Sequence, residues 1–176
     1  MVWGGFRVPE FCTQLVLKFG PIIRKGPVMV KKRDGDPWMP APKYSQTLSG
    51  LTVNLLVRDV PRSVRFAKTV FGADAVYADP DFAVMRVATD TCAAEWMLHA
   101  DHTYNDHPLT GIATGADGRG ASAEFRLHGV DPDDAEARAR DAGYTILEGA
   151  LDKPHGLREA YILDDDGYCW VPDRPL

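Results

Sequence analysis

Residues 51–72 read LTVNLLVRDVPRSVRFAKTVFG, and residues 121–143 read ASAEFRLHGVDPDDAEARARDAG. Each passage starts with apolar and polar residues in alternation, the period of a half-buried strand, and then changes to helical spacing. The change falls at Asp59 ahead of Pro61 in the first passage and at Asp131 ahead of Pro132 in the second. An aspartate at that point accepts hydrogen bonds from the free amides of a first helical turn, and a proline there gives up no intrahelical bond. Gly72 and Gly143 then stop the helices, because glycine enters the left-handed conformation that ends a helix without steric cost.

Outward from these passages, three strand-like segments follow each helix: ADAVYAD, DFAVMRVA and AAEWMLHA after the first, YTILEGAL, LREAYILD and YCWV after the second. Between the last two, Asp164, Asp165, Asp166 and Gly167 supply the acceptors and the positive φ of a tight reversal. The unit is strand, helix, three strands, used twice. This predicts an α+β fold of two βαβββ modules, about residues 51–107 and 121–174, forming a cupped mixed sheet within a domain over residues 51–176. The concave face of such a sheet is the natural place for a small ligand.

The remaining text fits one globular domain of 176 residues. A net charge of -5 and a pI near 5.5 argue against nucleic acid as a partner. No apolar run reaches the roughly 20 residues of a membrane span, so no membrane partner is expected. Three cysteines, Cys12, Cys92 and Cys169, without a C-x-x-C spacing fit reduced thiols of a cytoplasmic protein. Residues 1–33 hold seven Lys and Arg against Glu10 alone, and residues 34–50 carry three prolines and two glycines. Residues 1–50 are therefore expected to be an N-terminal arm and extended linker without chemistry of their own.

Three features resemble the vicinal-oxygen-chelate superfamily of glyoxalases, extradiol dioxygenases and bleomycin-resistance proteins. Residues 56–66 (LVRDVPRSVRF) are similar to the family's opening V-x-D-x-x-x-S-x-x-F, with Ala67 where an aromatic often follows. Residues 153–167 (KPHGLREAYILDDDG) resemble the P-W-G-x-R-E-F…D-P-D-G signature of the bleomycin-resistance branch, with His155 at the tryptophan and Asp165 at the proline. The third is the duplication itself. Metal-dependent members hold one divalent ion with two histidines and two glutamates. By motif spacing these positions fall on Thr52, Ser122, Val171 and Glu95, so the resemblance implies that the usual metal site is missing and that no cofactor is required. It also implies a homodimer whose sites the partner subunit completes.

The richest chemistry lies in residues 95–107 (EWMLHADHTYNDH). On a strand, Glu95, Met97 and His99 share one face and Trp96 and Leu98 the other. If the first face lines the cup, Glu95 and His99 become the candidate catalytic or ligand-orienting pair, since imidazole titrates near neutrality. A shifted divalent-metal site from Glu95, His99 and either His102 or His107 is the competing reading. Candidate ligand contacts are His102 and Tyr104 at the rim, Trp96 and Trp170 as flat walls, and His155 and Arg158 on the second module. Arg158 can clamp an anionic oxygen or pair with a nearby carboxylate. The four glycines of residues 110–120 lack the Lys-Ser/Thr of a phosphate loop and read as a flexible connector.

Two functions follow as expectations. The first is metal-independent capture of a small organic molecule, aromatic or anionic, as in the resistance branch. The second is a metal-dependent lyase, epimerase or dioxygenase of the same superfamily.

Overall fold

The computed structural model describes residues 38–89, 93–104, 109 and 116–176, all within a compact unit spanning Lys31–Leu176. His107 and the side chain of Tyr104 lie outside the described residues, as do Cys12 and Cys92.

The duplicated unit is present. In the first module β1 (Val53–Val57) leads into α2 (Val60–Phe71), followed by β2 (Asp74–Ala78), β3 (Phe82–Ala88) and β4 (Ala93–Ala100). In the second, β5 (Glu124–His128), α3 (Pro132–Asp141), β6 (Thr145–Asp152), β7 (Leu157–Leu163) and β8 (Cys169–Pro175) repeat the order. The sheets run β1-β4-β3-β2 and β5-β8-β7-β6. In each, the first and last strands pair in parallel and the rest antiparallel. This is the mixed-sheet α+β architecture the two passages predict.

The helix boundaries follow the capping chemistry. Asp59 accepts from the amide of Arg62 at 2.8 Å, and Gly72 ends α2 with φ +67. Asp131 accepts from the amides of Asp133 and Asp134 at 2.9 and 3.1 Å. The inner side of α2 buries Val60, Phe66, Val70 and Phe71, and each such side chain contributes roughly 1.5–3 kcal/mol of burial.

Alternation divides each sheet into two faces. Leu55, Val57, Met85, Trp96 and Leu98 of the first module, with Leu127, Ile162 and Trp170 of the second, enter one core with the helices. The opposite face of the first sheet carries Asn54, Leu56, Phe82, Val84, Arg86, Glu95, Met97 and His99, as the register requires.

Residues 34–50 were expected to be extended, but α1 (Ala41–Ser45) forms there. Tyr44 supplies the reason: it is buried against Val76, Tyr77, Phe82 and Val84, and that packing orders a segment whose prolines and glycines favour a linker. No helix among the described residues is long and apolar enough to cross a membrane.

Candidate functional site

His99 sits near the end of β4 on the face turned away from the helices. Its Nδ1 lies 2.7 Å from Asn54 Oδ1 on the neighbouring strand. The contact ties the imidazole to the amide side chain of β1 and sets the orientation of the ring. Phe82, directly across the ladder, packs its ring against the imidazole with centroids 4.5 Å apart. A cleft of about 480 Å³ opens here, lined by His99, Phe82, Thr103, Ala41, Asp79, Pro80 and Asp81. A smaller hollow on the other side of Ala41 shares His99 and Phe82. Asp79 is occupied with local turns: it accepts from the amides of Asp81 and Phe82 and from the Tyr77 hydroxyl. Burial, reinforced by that bond to Asp79, pushes the Tyr77 phenol up to about 12. The site therefore offers a fixed imidazole, a flat apolar wall and carboxylates at its rim.

The structure distributes the other sequence candidates widely. His102 is exposed and pairs with Asp81 at 2.9 Å, which brings it to the rim of the same cleft. Glu95 points to the same face as His99 but pairs with Arg86 across the ladder. Glu95 and His99 lie four positions apart on β4, about 13 Å of strand, and in this arrangement Glu95 is engaged by Arg86 rather than by the His99 side of the face. Trp96 and Trp170 are 4% and 2% exposed and meet in the core with ring centroids 4.9 Å apart, tilted by 51°. Arg158 belongs to the helix side of its sheet. It grips Asp133 at 2.7 and 2.6 Å and Asp152 at 2.8 Å, a pairing with carboxylates of the helix start and β6 rather than with Glu159 or the Asp164–Asp166 turn. His155 is exposed, with Nε2 3.6 Å from Glu159.

The positions to which the resemblance assigns metal ligands do not make a donor set. Val171 is fully buried and apolar, and Thr52 precedes β1. Ser122 takes a left-handed turn with φ 66, and Glu95 is held by a guanidinium. Among the described residues no three His, Cys, Asp or Glu side chains converge as a metal site.

A second polar group was not foreseen. At the place in the second sheet that matches His99 and Asn54 in the first, Arg126 joins the buried Glu159 and Asp173. Asp173 also meets His128 Nδ1 at 2.8 Å, and Tyr161 donates to Glu159 at 2.8 Å. Burial raises Glu159, but the hydrogen bonds from Tyr161 and Arg126 outweigh it and hold the carboxyl below its usual range. The only sequence sign was a charged residue at every second position of EFRLH, which reads equally as a solvated strand face. A cleft of about 650 Å³ runs along this sheet past Glu124, Leu147, Tyr161, Leu163 and Cys169. Burial pushes the Cys169 thiol up, away from thiolate reactivity.

Between the modules, a third cleft of about 320 Å³ is lined by Asn54, Leu56, Leu109, Arg119 and Tyr168. It shares Gly118 and Ala121 with the cleft of the second sheet, so the two meet across the connecting segment.

Comparison with known proteins agrees with this architecture. The family model described as "Glyoxalase/Bleomycin resistance protein/Dioxygenase superfamily" matches residues 51–171. The fold is similar to that of TioX from Micromonospora sp. ML1, with 24% identity over 73% of this chain and 97% of that one, TM-score 0.51. It is also similar to a glyoxalase/bleomycin resistance protein/dioxygenase family enzyme from Burkholderia phytofirmans PsJN (20% identity, 71% and 97% covered, TM-score 0.54). A glyoxalase-related enzyme from Fulvimarina pelagi has 20% identity, 72% and 88% covered, and a TM-score of 0.55. No curated protein gives a significant sequence match.

Proposed function

The chain belongs to the glyoxalase/bleomycin resistance protein/dioxygenase superfamily, and on that premise we propose that it captures a small, flat organic molecule in the His99 cleft without a metal ion. One observation carries this reading. His99 is fixed by Asn54 at 2.7 Å and backed by the Phe82 ring in a cleft large enough for a single-ring ligand. Phe82 supplies a stacking wall, and the His99 imidazole supplies a polar edge for a hydroxyl or amine. Asp79 and Asp81 at the rim disfavour an anion, and Arg158 is engaged elsewhere. The ligand class is accordingly neutral or basic, a narrowing of the aromatic-or-anionic expectation.

A second reading is catalytic. The His99 imidazole, oriented by Asn54 at the edge of the cleft, is placed to act as a general acid or base on a bound hydroxyl or an acidic C–H. The two readings separate on turnover: incubation with a bound ligand and analysis of its mass shows product only if His99 does chemistry. Assembly as a homodimer accords with the family resemblance, and sedimentation velocity tests it.

The test of capture is native mass spectrometry of the full chain against a panel of single-ring phenols and amines, with chelator present. Capture predicts complexes that survive the chelator and weaken at least tenfold in His99→Ala. Complexes indifferent to His99, or abolished by chelator, would defeat it.

A further inference from the structure

The concave face of the first module is closed along part of its length by the chain itself. Phe82, Val84 and Met97 form a floor, Tyr77 rises at its side, and the ring of Tyr44 lies among them, 7% exposed. The Tyr44 and Tyr77 rings are 4.6 Å apart and 30° from parallel, and Trp38 abuts Tyr44 edge-on at 5.8 Å. Burial raises the pKa of the Tyr44 phenol. A phenol thus occupies an aromatic floor on this face of the sheet.

The segment that brings Tyr44 there is weakly built. Helix α1 has five residues and no side-chain cap, far below the length at which a helix holds itself together. Among the described residues, one hydrogen bond from the sheet's side chains anchors it, Tyr77 hydroxyl to the Met39 carbonyl at 2.9 Å, beside apolar packing by Met39, Ala41, Tyr44 and Leu48. The same segment walls the His99 cleft through Ala41 and the adjoining smaller hollow through Ala41, Pro42 and Ser45. The subsite under Tyr44 and the cleft share Phe82.

We infer that the floor beneath Tyr44 is an aromatic subsite for a free phenol, occupied in this structure by the chain's own Tyr44 as an internal stand-in, and opened when residues 38–48 lift away. This rests on the reading of the strand face around His99 as the ligand side. Tyr44 is then a competitor as well as a wall. A ligand that needs the open arrangement binds with an affinity reduced by the fraction of open molecules, and a variant without the competing ring recovers it.

The experiment uses the full chain and p-cresol, the side chain of tyrosine as a free molecule. Calorimetry compares the wild type, Tyr44→Ala and Tyr44→Phe, and trypsin cleavage after Lys43 is followed by mass in each. Tyr44→Ala is expected to bind p-cresol about 10- to 100-fold more tightly than the wild type, with Tyr44→Phe close to the wild type. Saturating p-cresol is expected to speed cleavage after Lys43 in the wild type, because cleavage there requires α1 to open. A folded Tyr44→Ala that binds no more tightly overturns the inference, and so does wild-type cleavage that p-cresol leaves unchanged or slows. If Tyr44→Ala fails to fold, the wild-type cleavage decides alone. His99→Ala separates the two claims: loss of effect there with the Tyr44→Ala gain intact defeats the cleft and leaves this subsite standing.

Discussion

The guanidinium of Arg119 grips the carboxylate of Asp101 at two points, 2.6 and 2.7 Å, while a third contact from Arg119 reaches the Leu56 carbonyl at 3.1 Å. Arg119 is a residue of the glycine-rich connector, yet its side chain is 4% exposed. It lies beside the buried Asp166, whose carboxylate also pairs with Arg58 at 3.1 Å. One residue therefore ties the edge of β1 and the end of β4 to the β7–β8 turn. Removing one partner of a buried pair strands the other charge, and with Asp101 partly solvated the cost of Arg119→Ala is expected at about 2–4 kcal/mol. Urea unfolding measures it; a loss under about 1 kcal/mol would show that the tie is dispensable.

Gly167 makes the same junction tight from the other side. It has φ +85, and a Cβ built on it would stand 2.5 Å from the Gly118 backbone. Gly167→Ala is expected to destabilise the protein by more than the ~1 kcal/mol of an ordinary glycine effect, read as a lowered melting temperature. An unchanged melting temperature would mean that the connector gives way freely.

Trp170 packs against Trp96, Phe125, Phe71 and Phe66. Trp170→Phe should cost stability and leave ligand affinity in the His99 cleft unchanged within about twofold, since distant sites act independently. A selective loss of affinity with stability retained would return Trp170 to the ligand site.

The carboxyl of Glu159 is held below its ordinary value of 4.5, so it contributes stability above that value which is lost as pH falls through its folded pKa. Burial raises Asp164 and Asp166 above 3.8, and their contribution runs the opposite way, declining as pH rises. The informative quantity is thus the difference between the wild type and Glu159→Gln. Urea midpoints measured from pH 6 down to pH 3 should converge as acid removes what the substitution has already removed. Parallel curves would place Glu159 outside the acid response.

The parts of this fold legible in the sequence were those with local causes. Period-two strands, Asp59 and Asp131 as helix caps, Gly72 as a stop and the Asp164 to Gly167 turn each act through neighbours a few residues away. Alternation likewise put His99 opposite Trp96 in the strand. What stayed hidden depends on distant partners. Arg119 meets residues 18, 47 and 63 positions away, and Tyr44 is ordered by a strand pair that begins 30 residues later. Arg126, Glu159 and Asp173 converge only when three strands pair. Alternation put Glu95 on the same face as His99, but the Arg86 partner of Glu95 is set by the β3–β4 register and stayed out of view.

The account stands most directly on the affinity of one single-ring ligand for the wild type and for His99→Ala, measured by calorimetry in the presence of chelator. It predicts binding in the wild type and at least a tenfold loss in the variant, about 1.4 kcal/mol, with the melting temperature of the unliganded protein preserved. Equal affinities in the two proteins, or wild-type binding that appears only when a divalent metal is restored, would contradict it.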